Sequence, residues 1–129
     1  MMDNPHGRRE ELENKAYETF VCPNLSLIDI RGRELKLNDA TIERAKDLAI
    51  EYFKRTCQYH RYSSVRYLFP AFTYIATIME NERRTQRDIE SVYKVTRVTI
   101  SKWYLDIISV LDIKIVNNKG SAPLYFPSV

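Results

Sequence analysis

Between Arg83 and Lys102 the chain places six basic residues (Arg83, Arg84, Arg87, Lys94, Arg97, Lys102) against two acidic ones (Asp88, Glu90). This local surplus exceeds the net charge of +3 on the whole chain, so the remainder is slightly acidic and the positive charge is concentrated in one segment. Guanidinium and ammonium groups neutralise phosphate, while hydroxyls and small apolar groups suit base edges and thymine methyls. Thr96, Arg97, Val98, Thr99, Ser101 and Lys102 supply that mixture in one stretch. The chemistry these residue types suit is recognition of double-stranded DNA. Arg97 and Lys102 would bind phosphate or guanine, Val98 and Thr99 would give apolar and hydroxyl contacts, and Ser101 a weak polar one. Arg83, Arg84 and Arg87 lie just upstream, where they would hold the backbone. The competing reading is a solvated helix surface beside a turn.

Such a set needs a scaffold, and residues 85–105 (TQRDIESVYKVTRVTISKWYL) predict two short helices joined by a tight turn. Thr85 and Asp88 have the spacing of a capping box, with Asp in place of the usual Glu or Gln. Ile89 and Val92 share one helical face. Tyr93, Lys94 and Val95 carry the turn, and Thr96 caps the next helix. Ile100, Trp103, Tyr104, Ile107, Ile108 and Leu111 then recur at helical spacing. The helix-turn-helix spans 85–108, and its second helix, 96–108, would enter the major groove through its N-terminal half.

The rest of the 129 residues fits one domain over 9–129, after a frayed polar segment 1–8. Leu12, Ala16 and Phe20 predict a short helix over 9–20. Residues 25–37 (LSLIDIRGRELKL) alternate around Arg31 and Gly32, as a small hairpin or an irregular apolar linker would. Asn38 or Asp39 caps a helix to about Thr56, with an apolar stripe of Ile42, Ala45, Leu48, Ala49, Tyr52 and Phe53. A polar connection over 57–63 follows. A helix over about 64–80 is apolar nearly all round and should be the central one. Pro70 should kink it or move its regular start to near Phe69. Residues 112–127 form two extended segments around Asn117, Asn118, Lys119 and Gly120, which predicts a β-hairpin. That is the position of a wing in winged-helix proteins, where Lys114 and Lys119 would touch phosphate. Equally, the hairpin would only cover the core with Tyr125 and Phe126.

Composition narrows the function classes. His6 and His60 are the only histidines, three glycines leave no phosphate-cradling loop, and no nucleophile motif stands out, so no catalytic site and no cofactor are expected. Cys22 and Cys57 fit no metal-ligand pattern. They read as free thiols, with a Cys22–Cys57 disulfide as the alternative. No apolar run has the length of a membrane span and no signal peptide is evident, so a cytoplasmic, nucleoid-associated protein with no membrane partner is expected.

Residues 39–113 resemble the second cyclin-like repeat of archaeal transcription factor B and eukaryotic transcription factor IIB. FTYIATIMENERRTQRDIE and VTRVTISKWYLDI carry the resemblance. It implies a mainly α, cyclin-like five-helix bundle whose helix-turn-helix reads promoter DNA and whose nearby surfaces hold the TATA-binding protein. Val98 matches a base-contacting valine of that family. Ser101 stands where the family has a base-contacting arginine, which implies an altered or lost preference. Glu90 and Tyr93 replace alanines and Lys94 replaces a turn glycine. Glu90 must therefore be exposed or paired, with Arg87 or Lys94 as candidates. Two isolated cysteines supply no zinc ribbon, which implies a single-repeat relative or a derived regulator. The leading expectation is a DNA-binding transcription regulator, monomeric or homodimeric. The alternative is a protein-interaction module of the same fold that binds the TATA-binding protein or RNA polymerase.

Overall fold

Every residue from Leu68 to Ile78 is buried, a run that no helix with a solvent face can show. These residues belong to the helix around which the others pack. The computed structural model describes residues 22–56, 62–116 and 123–127. They form α1 (Cys22–Glu34), α2 (Asp39–Thr56), α3 (Tyr62–Met79), α4 (Gln86–Tyr93), α5 (Arg97–Val110), β1 (Lys114–Val116) and β2 (Leu124–Phe126). The expected mainly α bundle with a small C-terminal hairpin is what these elements build. α2 and α5 pack most extensively on α3, and α4 and α1 less so. The helix expected over 9–20 and the segment 1–8 lie outside the described residues.

The segment 25–37 differs from expectation. It is neither a hairpin nor a linker, because α1 runs through it to Glu34. The inward stripe is Leu25, Ile28, Gly32 and Leu35, at helical spacing. Gly32 leaves one position of that stripe without an apolar side chain, while Ile30, 54% exposed, places a hydrophobe on the outside. Together they imitate a period of two. Gly32 is no turn residue. A Cβ there would lie 2.7 Å from Ile42 Cγ1, so glycine is what allows α1 and α2 to approach.

Four elements end on a non-glycine residue in the left-handed region: Lys36 (φ 58°), Asn81 (φ 54°), Lys94 (φ 56°) and Asp112 (φ 54°). After α1, the amide of Lys36 donates to Arg33 O at 3.0 Å and that of Leu37 to Gly32 O at 2.9 Å. This is the paired closure that satisfies the last carbonyls of a helix. The same pattern ends α3 at Asn81 and Glu82, and α5 at Asp112 and Ile113. Asn38 caps α2, its Oδ1 accepting from the Thr41 amide at 3.1 Å. The Asn38 amide in turn donates to the Glu82 carboxylate at 2.9 Å, joining the starts of α2 and of the loop after α3.

The α2 stripe is buried as expected. Tyr52, Phe53, Phe69 and Phe72 interlock with ring centroids 5.5 to 6.0 Å apart, mostly edge to face. The Tyr52 hydroxyl donates to the Asp106 carboxylate of α5. α3 continues through Pro70 rather than starting beside it. Pro70 is buried among the other residues of the core-facing run, and the tertiary packing of α3 offsets the backbone bond that proline cannot make. Cys22 carries a free thiol, and Cys57 lies outside the described residues.

β1 and β2 pair antiparallel with Lys114 opposite Phe126, Ile115 opposite Tyr125 and Val116 opposite Leu124. Ile115 and Tyr125 turn towards the core. Phe126 does not join Tyr125 there. It is 50% exposed, because successive strand residues point to opposite faces.

Candidate nucleic-acid interface

The first helix of the pair begins as the sequence indicates. The Thr85 hydroxyl accepts from the Asp88 amide at 3.1 Å, and the Asp88 carboxylate accepts from the Thr85 amide at 2.9 Å. The bond from the Thr85 amide and the Thr85 hydroxyl hold the Asp88 carboxyl below its ordinary range against the opposing effect of burial, with a lesser contribution from the nearby Arg84 charge.

The turn is built from the residues that depart from the resembling family. Lys94 adopts φ 56° and ψ 47°, and its amide donates to Glu90 O at 2.8 Å. Tyr93 closes α4, and its hydroxyl lies 2.7 Å from that of Thr73 on the central helix. The Thr73 hydroxyl itself donates to Phe69 O at 3.0 Å, so Tyr93 is the donor to Thr73. Burial pushes the Tyr93 phenol above its ordinary range. Tyr93 thus pins the turn to α3. Thr96 caps α5, its hydroxyl accepting from the Thr99 amide at 3.2 Å.

Glu90 is paired, but with neither Arg87 nor Lys94. Its Oε2 accepts from the Arg97 amide at 2.8 Å and lies 3.9 Å from Arg97 Nε. The left-handed turn brings the start of α5 over the last turn of α4. An amide in the first turn of a helix has no partner within it and is a better-placed donor than a flexible surface cation.

α5 is sharply two-sided. Ile100, Tyr104 and Ile107 are buried, with Tyr104 against Tyr74 at 5.6 Å between ring centroids. Val98 is 80% exposed and Leu105 60% exposed. Arg97 and Lys102 are also exposed, and Lys102 Nζ sits 5.2 Å from the Trp103 ring centroid. Val98, Lys102 and Leu105 fall at i, i+4 and i+7 on one face.

The other expected site residues divide. Arg83 and Arg87 are exposed. Arg84 is turned inward. Its guanidinium donates to Leu35 O at 2.9 Å, Lys36 O at 3.2 Å and Arg83 O at 2.8 Å, clamping the C-terminal carbonyls of α1. Ser101 is half-buried and donates to Gln86 Oε1 at 3.4 Å, so its hydroxyl faces α4. Thr99 is half-buried beside Thr96, with the two hydroxyl oxygens 3.0 Å apart. Lys119 lies outside the described residues, and Lys114 is exposed on β1. Sequence reasoning missed Leu105. Its distance of seven from Val98 was the available signal, obscured by the run of apolar residues from Trp103 to Ile108. Among the described residues, no cluster of His, Cys, Asp or Glu is placed to hold a metal ion, and no helix is long and apolar enough to cross a membrane.

A cyclin-like helical bundle that carries a helix-turn-helix on its surface defines the class of protein. The family model of the Transcription factor TFIIB repeat matches residues 25–110, and the chain belongs to that family. The match begins in α1 and so reaches further than the resemblance over 39–113. The chain is 35% identical over 96 residues to the transcription initiation factor IIB of Pyrococcus furiosus, covering 74% of this chain and 31% of that protein. It is 35% identical over 121 residues to that of Pyrococcus abyssi, covering 84% and 40%. With that of Methanopyrus kandleri it shares 49% identity over 45 residues, 35% of this chain and 15% of the other. The chain therefore spans a third or so of the length of the first two relatives. The family is one of transcription factors, not of enzymes.

Proposed function

We propose that this chain is a DNA-binding regulator of transcription initiation that sets the N-terminal half of α5 in the major groove. One observation carries the reading. α5 buries Ile100, Tyr104 and Ile107 while Arg97, Val98 and Lys102 stand out from the same helix, so a rigid frame presents cations and a methyl-bearing side chain together. Arg83 and Arg87, exposed at the start of the first helix, take phosphates and set its position on the backbone. Family membership and relatives named transcription initiation factor IIB support the setting in initiation. Arg84 contributes by fixing α1 rather than by reaching DNA, and Ser101 adds little to base reading while its hydroxyl faces Gln86. The reading is tested with Arg97→Ala and Lys102→Ala. Each is expected to weaken duplex binding and to reduce the salt slope by about one. Unchanged affinity in both variants moves the interface elsewhere.

Leu105 favours a second reading, a protein-interaction module that binds the TATA-binding protein or RNA polymerase and modulates initiation. With Val98 it gives the outward face an apolar strip, 60% and 80% exposed, of the kind that anchors protein contacts. In a pull-down with each partner, capture that Leu105→Asp abolishes supports this reading. A clean negative with both counts against it.

A further inference from the structure

The Glu90 carboxylate is an acid set against an exposed cation at the start of the reading helix. Its Oε2 lies 3.9 Å from Arg97 Nε and binds the Arg97 amide at 2.8 Å, so one carboxylate oxygen engages both ends of that residue. The Glu90 side chain is 39% exposed and that of Arg97 60% exposed, so the pair opens to solvent where a nucleic-acid backbone would approach. On its other side Glu90 lines a cleft of about 500 Å³ with Lys94, Thr96 and Thr99, and it is the one acidic residue among those described in a lining that does not include Arg97. A duplex phosphate that recruits Arg97 must compete with this internal carboxylate and is repelled by it.

We infer that Glu90 is an affinity-setting positioning residue, a built-in electrostatic restraint that holds Arg97 and keeps duplex binding weaker than the cationic segment would otherwise give. This rests on the DNA-binding reading above. Restraint, rather than mere support of the turn, makes a particular demand: removing the charge must strengthen binding, and must do so through Arg97. A residue that only supported the turn would lower affinity or leave it unchanged when removed.

The test is a double-mutant cycle on the full chain, with Glu90→Gln, Arg97→Ala and the pair, read by fluorescence anisotropy against one mixed-sequence duplex over a range of salt. Glu90→Gln is nearly isosteric and keeps an acceptor for the Arg97 amide. Glu90→Ala is the companion variant, and melting curves monitor the fold of each. Glu90→Gln is expected to bind roughly threefold to fivefold tighter at low salt, with the gain shrinking as salt screens the carboxylate. In the Arg97→Ala background the gain should fall below about twofold. If the wild type binds and Glu90→Gln binds equally or more weakly, the inference is overturned and the DNA reading stands. An equal gain with and without Arg97 overturns the restraint through Arg97. Binding by neither wild type nor Glu90→Gln at low salt overturns the DNA reading and the inference with it.

Discussion

Lys94 occupies a backbone conformation that costs an L-residue about 1 kcal/mol and glycine nothing, and that conformation turns the chain out of α4 towards Thr96. Lys94→Gly is therefore expected to stabilise the protein by up to about 0.5 kcal/mol after the entropy of an unfolded glycine, about 0.4–1 kcal/mol, is deducted, raising Tm by up to roughly 2 °C in a thermal melt. A lower Tm would show that the Lys side chain contributes more than its backbone costs. At the other end of α4, Thr85→Ala should cost about 1 kcal/mol by removing the cap. Asp88 has the pH signature. Its folded carboxyl titrates below the unfolded range, so its contribution is full above that range and is lost as the pH falls through the folded value. The Tm gap between wild type and Asp88→Asn should hold steady at neutral pH and shrink below about pH 4. A gap independent of pH would assign the cap to the hydroxyl alone. At this scale the sequence reveals caps well, because one oxygen three residues from one amide decides them. It conceals partners such as Arg97 for Glu90, which depend on how a turn folds back.

The contact between α1 and α2 belongs to the scale of elements. Alanine is a better helix former than glycine by about 1 kcal/mol, yet at Gly32 a Cβ meets buried Ile42 at 2.7 Å, and overpacking costs about 1–3 kcal/mol. The clash outweighs the propensity, so Gly32→Ala should destabilise. In an Ile42→Ala background the atoms in the way are gone, and the same change should be neutral or stabilising. Matching losses in both backgrounds, measured by urea denaturation, would refute the close approach. Gly32 and Ile30 also explain why α1 is illegible in the sequence. α2, α4 and α5 carry a side chain, mostly apolar, at each inward position and show their period. α1 places a hydrogen atom at one inward position and an isoleucine at an outward one, and only the neighbouring helix reveals which face is buried.

For the molecule as a whole, the central helix organises everything the proposed interface needs. Thr73 receives Tyr93, Tyr74 packs against Tyr104, and the residues after the helix pass through Arg83 and Arg84 into the capping box. The frame of the interface was readable because periodicity and capping are local. The division of these cations was not, since Arg83, Arg84 and Arg87 look alike in sequence and only the packing of α1 shows the Arg84 guanidinium engaged on the carbonyls of Leu35 and Lys36. The most direct measurement is duplex affinity against salt concentration for the wild-type chain. With four or five phosphates neutralised, binding should be present at low salt and fall with a log–log slope of roughly −3 to −5. No binding at low salt, or binding indifferent to salt, would contradict a DNA interface on α5.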